Sequence, residues 1–199
     1  GMANVVFLLT EENQHLGQFE ITVLPEYRLH GLGKQLLGKI AEATRQTQRR
    51  LLITNTVDRV PGGKAFMLRI GAQKGLEGHT NQLRMDELNR ELLGLWLQIG
   101  QANQTTFEMG LWEGPYPEDK LPAVCELYEL TNQQPLGELE IDYMHMTPEQ
   151  MRQMETNLIA RGNHRWTFYV IDRQNGKFAG YTETVWNPNR PEILRQDMT

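Results

Sequence analysis

Residues 21–37 read Ile-Thr-Val-Leu-Pro-Glu-Tyr-Arg-Leu-His-Gly-Leu-Gly-Lys-Gln-Leu-Leu, and this stretch decides the fold. Ile21, Thr22, Val23 and Leu24 are a short, β-branched, apolar run, so a strand is expected. Pro25 has no N–H to offer a ladder and ends the strand. Arg28-x-x-Gly31-x-Gly33 follows, and Leu32, Leu36, Leu37 and Ile40 recur at helical spacing. The predicted unit is strand, glycine-rich turn, helix. The first backbone N–H groups of such a helix have no intrahelical acceptor, and the positive end of its dipole sits among them. The turn is therefore a ready anion site, and two glycines let a phosphate come close to the backbone. Gly-x-Gly alone is better explained by an ordinary strand-to-helix connection. The longer string, Val23-x-Pro25-x-x-Arg28-x-x-Gly31-x-Gly33 before an amphipathic helix, is the informative feature.

Outward from this stretch the chain reads as follows. Residues 4–10 form an apolar strand, and residues 11–14 a polar turn into a second strand over 16–24, giving a hairpin. The helix is expected over 31–47, followed by basic residues that suit a helix C-terminus. Residues 51–54 are a short strand, parallel to the first because a helix separates them. A loop over 58–63 leads to a short helix over 64–70, closed by Gly71. Residues 72–85 are polar and weakly patterned, a strand and a connection. Residues 85–102 form a helix with Asp86 as N-cap and an apolar stripe of Leu88, Leu92, Leu95, Trp96 and Ile99, which fits a linker helix docked on its neighbours. The polar break over 101–106 marks a boundary.

The second half predicts a strand over 107–112, a helix over 117–130 and a poorly patterned loop over 131–142. Thr147-Pro148-Glu149-Gln150 is a strong helix start, with Thr as cap, Pro first and Gln three residues on. That helix runs to 161, before Gly162. Residues 165–171 and 177–185 are strands joined at Asn175-Gly176, a hairpin signal. A last strand begins at Glu192 and runs to Thr199.

The composition bounds the function. The 199 residues are 39% hydrophobic and 23% charged, as in a soluble globular protein able to bury a core. A net charge of −5 argues against a general nucleic-acid or membrane-surface binder. No apolar run is long enough to span a bilayer, and Met2 leads straight into a strand-like segment rather than a signal peptide. The single cysteine, Cys125, forms no internal disulfide, and a cytoplasmic location is the simplest reading. Cys125 lies on the apolar side of its helix and is expected in the core. The five histidines, His15, His30, His79, His145 and His164, are scattered without paired ligand spacing, so no metal is expected.

The string from Val23 to Gly33 resembles the acetyl-coenzyme-A-binding motif of the GNAT N-acetyltransferase family. The resemblance implies a GNAT-like α/β fold, a mixed central sheet flanked by helices. It implies that Val23 and Leu24 contact the pantetheine arm. It implies also that Arg28, Leu29, His30, Gly31, Leu32, Gly33 and Lys34 hold the pyrophosphate of acetyl-CoA, the cosubstrate for acetylating a small-molecule amine. His30 replaces a residue usually small or basic in that turn. The second half, through residues 112–118 (WEGPYPE) and 180–196, resembles the second domain of tandem GNAT proteins, and the 85–106 linker resembles what joins their domains.

Read against that family, the halves come in the wrong order. Residues 1–84 look like the C-terminal half of a GNAT domain, residues 85–106 like a linker, and residues 107–199 like the N-terminal half of the next domain. The halves can close within one chain, close between two chains as a homodimer with exchanged halves, or belong to a longer tandem protein. The strands over 4–10 and ending at Thr199 both need partners.

Acetyl transfer needs a base for the amine, donors for the oxyanion and an acid for the leaving thiolate. Glu20 on the motif strand and His15 just before it are the candidate bases, each balanced against an ordinary surface residue; Glu11 and Glu12 read as solvated. The N–H of Val23 or Leu24 fits the oxyanion role. Met67 stands where many family members have an acidic tyrosine, so standard acid catalysis is not expected. Tyr27 reads as a packing residue. Two functions remain open: an N-acetyltransferase, or a catalytically inactive GNAT-like fragment acting as an interaction module, with or without coenzyme A binding.

Overall fold

In the computed structural model, residues 1–8, 11–102 and 104–198 are described. They divide into two compact units, one of Gly1–Gly78 with Pro135–Met144, the other of His79–Gln134 with His145–Thr199. No helix among the described residues is long and apolar enough to cross a membrane.

The first unit is built on a hairpin. β1 (Met2–Val6) pairs antiparallel with β2 (Leu16–Thr22), Met2 opposite Thr22. The strand expected over 4–10 is thus shifted toward the N-terminus, and its Leu9 and Thr10 lie outside the described residues. α1 (Leu32–Gln46) follows, and β3 (Leu51–Ile53) lies parallel to β2, as the intervening helix requires. α1 packs on β1 and β2, and its Ile40 and Thr44 are buried, as are Leu16 and Phe19 of β2. Thr44 spends its hydroxyl on the Ile40 carbonyl, 2.8 Å away, so it is buried without an orphaned donor. Arg49 donates to the carbonyls of Leu8, Asn13 and Leu16, closing the hairpin loop from below. α2 (Pro61–Arg69) starts three residues before the expected position, because Pro61 serves as its first residue. The strand expected within 72–85 is absent; that stretch is irregular until a 3-10 turn at Met85–Glu87.

The first α-helix of the second unit is α3 (Arg90–Ala102). Its cap is Asn89, whose Oδ1 accepts from Leu92 N at 2.9 Å, and not Asp86, whose carboxylate is taken by Arg84. The stripe expected to dock stays largely open: Leu92, Leu95, Trp96 and Ile99 are all exposed. β4 (Phe107–Glu113), β5 (His164–Asp172), β6 (Phe178–Trp186) and β7 (Leu194–Met198) form an antiparallel sheet in that order. Thr199, expected within the last strand, lies outside the described residues. The β5–β6 connection is longer than a two-residue Asn-Gly turn: Asp172 N donates to the Lys177 carbonyl, and Gly176 takes the left-handed position at φ 71°. α4 (Leu121–Glu129) and α5 (Pro148–Ala160) pack together, and α4 also packs on β6. The capping box at Thr147 and Gln150 forms as the sequence predicts. Tyr116, Leu121, Val124, Cys125, Met146 and Met151 make the core. Phe107, Met109, Leu111, Phe168 and Leu194 are exposed, leaving an apolar surface on the sheet.

The fold class is mixed α/β, with helices on two sheets, one mixed and one antiparallel.

Candidate functional site

The geometry that matters begins with how little of β2 is paired. β3 meets only Leu16, Gly17 and Gln18. From Phe19 to Thr22, the β3-side edge of β2 has no strand neighbour among the described residues. Backbone groups on that edge are available to an extended ligand, which would add to the sheet as a strand does. Glu20 lies in this open stretch; it is exposed, and its carboxylate accepts from Asn4 Nδ2 at 3.4 Å.

The strand ends at Thr22, and Val23 and Leu24 continue extended into a single 3-10 turn at Pro25–Tyr27. Arg28 Nε donates to the Val23 carbonyl at 2.9 Å, which pins the turn to the strand end. His30 Nδ1–H donates to the Arg28 carbonyl at 2.8 Å, so the imidazole braces the turn from within. Two residues here sit in the left-handed region: Leu29 at φ 65° and Gly31 at φ 81°. Gly31 is the α1 N-cap, without any side-chain cap, and the first helical bond runs from Gln35 N to its carbonyl. The N–H groups of Leu32, Gly33 and Lys34 are therefore left for an outside acceptor. A Cβ on Gly31 would meet nothing within 4 Å, so open space lies over the turn. Gly33 faces the Phe66 ring of α2, where a Cβ would make ordinary contact at 3.4 Å. Leu29 is 99% exposed, a bulky residue held in a conformation that L side chains rarely adopt and buried against nothing. Tyr27, expected to pack, is exposed.

An exposed nest of N–H groups at a helix N-terminus, flanked by Arg28 and Lys34, suits a pyrophosphate in charge and in access. The structure brings Val23, Leu24 and residues 28–34 together in one turn at the C-terminal end of β2. It does not bring His15 there. His15 precedes β2, so the whole strand, roughly 3.3 Å per residue, separates it from the turn. Its Nε2–H donates to the Glu140 carbonyl at 2.8 Å, and its Nδ1 lies 3.7 Å from the Asp142 carboxylate. Met67 lies on α2, half-buried.

The most elaborate polar cluster lies in the second unit, and sequence reasoning missed it. Glu155, Arg165, Glu183, Thr167 and Tyr116 are all buried. Glu155 accepts from Tyr116 N at 2.8 Å and from the Arg165 guanidinium. Glu183 accepts from the Tyr116 hydroxyl and from Thr167 Oγ1 at 2.9 Å. Arg165 also donates to the Gly114 carbonyl and lies 3.8 Å over the Tyr116 ring. Burial, then the Glu183 charge, pushes the Tyr116 phenol far above its usual range. Every member is paired, so the cluster reads as structural, a charged core that fixes α5 against β5 and β6. Strand alternation was the available signal: Arg165 and Thr167 share a face of β5, and Glu183 shares a face of β6 with core Val185.

No protein-family model matches this sequence. No curated protein matches it either. Among solved structures, the chain is similar to a tandem GNAT protein from the clavulanic acid biosynthesis pathway, determined without AcCoA. The TM-score is 0.61 at 18% sequence identity, and the match covers 93% of this chain and 55% of that one. The chain thus spans about half the length of the protein it matches. The fold reached from the glycine turn outward is GNAT-like.

Proposed function

We propose that this chain binds acetyl-coenzyme A at the β2–α1 turn and acts as an N-acetyltransferase on a small amine. The observation that carries this reading is the β2 edge, which loses its β3 neighbour after Gln18 and leads directly into an exposed, left-handed glycine turn at the α1 N-terminus. In this reading the N–H groups of residues 32–34, with Arg28 and Lys34, hold the pyrophosphate, and the open edge through Val23 and Leu24 pairs with the pantetheine arm. The bound coenzyme supplies an activated acetyl thioester. Glu20, exposed on the open edge, accepts the amine proton as the nucleophile attacks, and a strand N–H near Val23 donates to the oxyanion. Met67 donates no proton, so the leaving thiolate takes its proton from solvent. His15, held by Glu140 and close to Asp142, is left out of this mechanism.

The test is release of free coenzyme A from acetyl-CoA over a panel of primary amines. Turnover that falls about 100-fold or more in Glu20→Gln, within the usual span for a general base, supports the assignment; turnover equal to wild type in that variant overturns the role of Glu20.

A second reading has its own observation. Met67 in place of an acid favours a non-catalytic GNAT-like module that retains coenzyme A binding. It predicts binding without turnover on every amine tried. In both readings the uncovered apolar residues of α3 and β4 support a homodimer or larger assembly, with a swap of halves as one form. The 55% coverage of the tandem protein is in keeping with two half-domains around a linker.

A further inference from the structure

An antiparallel sheet with one face on a core ordinarily turns polar residues outward on the other. In the second unit β4 does the reverse. It reads Phe-Glu-Met-Gly-Leu-Trp-Glu; Trp112 packs against the core cluster, and the alternate residues Phe107, Met109 and Leu111 belong to the opposite face. The register sets Val170 across from Met109 and Phe168 across from Leu111, so β4 and β5 build one apolar surface there. Met109 is 70% exposed, Leu111 51% and Phe168 48%.

The same unit carries a second uncovered surface of matching kind. α3 has no buried residue, and Leu92, Leu95, Trp96 and Ile99 form an exposed stripe at helical spacing. Its 13 residues span roughly 20 Å, against roughly 23 Å for the seven residues of β4. The helix does not close over its own sheet: Gly100 of α3, with Phe107, Met109 and Val170, lines an open groove of about 450 Å³. A helix stripe and a sheet face are the layers that domain architecture buries against each other.

Area argues for a partner. The chain exposes 15272 Å². Two separate folded bodies sharing its 23.0 kDa would expose only roughly 11,600 Å². The surplus, roughly 3,700 Å² by the same scaling, is several times the ~800 Å² that one partner contributes to a standard interface.

We propose that a second copy of this chain covers the face: α3 of each copy lies on the β4–β5 surface of the other, so that the same contact forms twice about a two-fold axis. Both halves of the contact are on one unit, which is what a self-complementary interface requires. The inference deepens the assembly reading above by naming its contact, and it needs no exchange of halves. It does not rest on the coenzyme reading.

The test is sedimentation equilibrium of the full chain, with Leu111→Glu charging the sheet face and Trp96→Glu charging the helix stripe. Both positions are exposed, so each variant should keep the wild-type circular-dichroism spectrum. Met109→Glu and Leu95→Glu replace either one that does not. The wild type should be a dimer, and each variant should raise its dissociation constant at least about tenfold. An equimolar mixture of the two variants should associate more tightly than either alone, because one chain keeps an intact face and the other an intact stripe. A wild-type monomer would overturn the assembly reading and this contact with it. A dimer weakened by only one variant or by neither, or a mixture no tighter than its components, would overturn this contact alone.

Discussion

The two units differ in where their polar groups go. The second buries its charges: Glu155, Arg165 and Glu183 are paired around Tyr116 and Thr167, over an apolar core from α4 and α5. The first exposes them: Arg28, His30 and Lys34 stand at the surface around an uncapped helix start, over a smaller core of Leu16, Phe19 and Ile40. Buried and saturated, a charged cluster specifies structure and has no bond left for a ligand. Exposed and undersatisfied, a turn contributes little to stability and has bonds to give. The densest charged network among the described residues is therefore saturated and offers a ligand nothing.

The largest expected effect tests the buried side of this contrast. Glu155→Ala takes from buried Arg165 its nearer carboxylate, leaving Glu183 at 3.5 Å, and should cost about 3–5 kcal/mol by denaturant unfolding. A loss below about 1 kcal/mol, the scale of a surface pair, would break the comparison. Next comes the exposed side. Gly31→Val places a β-branched residue at φ 81° in open space, so the fold should lose only about 1–2 kcal/mol. Coenzyme A affinity should fall at least tenfold, read by calorimetry beside a circular-dichroism spectrum that stays the same.

Alkaline pH should act on the second unit. Burial raises the Tyr116, Tyr128 and Tyr181 phenols and the Cys125 thiol. The folded state then holds these protons more tightly than the unfolded state. The resulting stability is full below the unfolded values, about 8.5 for Cys and about 10 for Tyr, and is lost as pH rises through the raised ones. Denaturant midpoints should decline above about pH 9, and Cys125 should resist alkylation at neutral pH until the unit unfolds. The smallest effect sharpens the contrast. Leu29→Gly relieves a left-handed leucine that buries nothing, and should stabilise by about 0.5–1 kcal/mol. A simultaneous fall in coenzyme A affinity would mean that the strained leucine serves the ligand.

Local signals carried much of the fold. The parallel placement of β3 follows from the helix before it, the α5 start from Thr147 and Gln150, and the burial of Cys125 from its apolar face. The glycine turn proposed to hold phosphate was legible as a geometry because its groups are contiguous, all between residues 23 and 34. Other features depend on contacts distant in sequence. Asn13 and Asp142 are 129 positions apart, and nothing local marks residues 135–144 as packing with the hairpin. Asp86 lost the cap to Asn89 because Arg84 took its carboxylate, a competition that helix propensity does not weigh. His15 resembled a base by its nearness to β2, but its ring is held by Glu140, near Asp142, from elsewhere in the chain.

Calorimetric titration with coenzyme A of the wild-type chain and of Gly31→Val is the most direct test of the β2–α1 turn. Micromolar-range binding, roughly −8 kcal/mol, is expected for the wild type, and no measurable heat for the variant. No binding to the folded wild-type chain, or equal binding to both, would contradict the assignment of the β2–α1 turn as the coenzyme site.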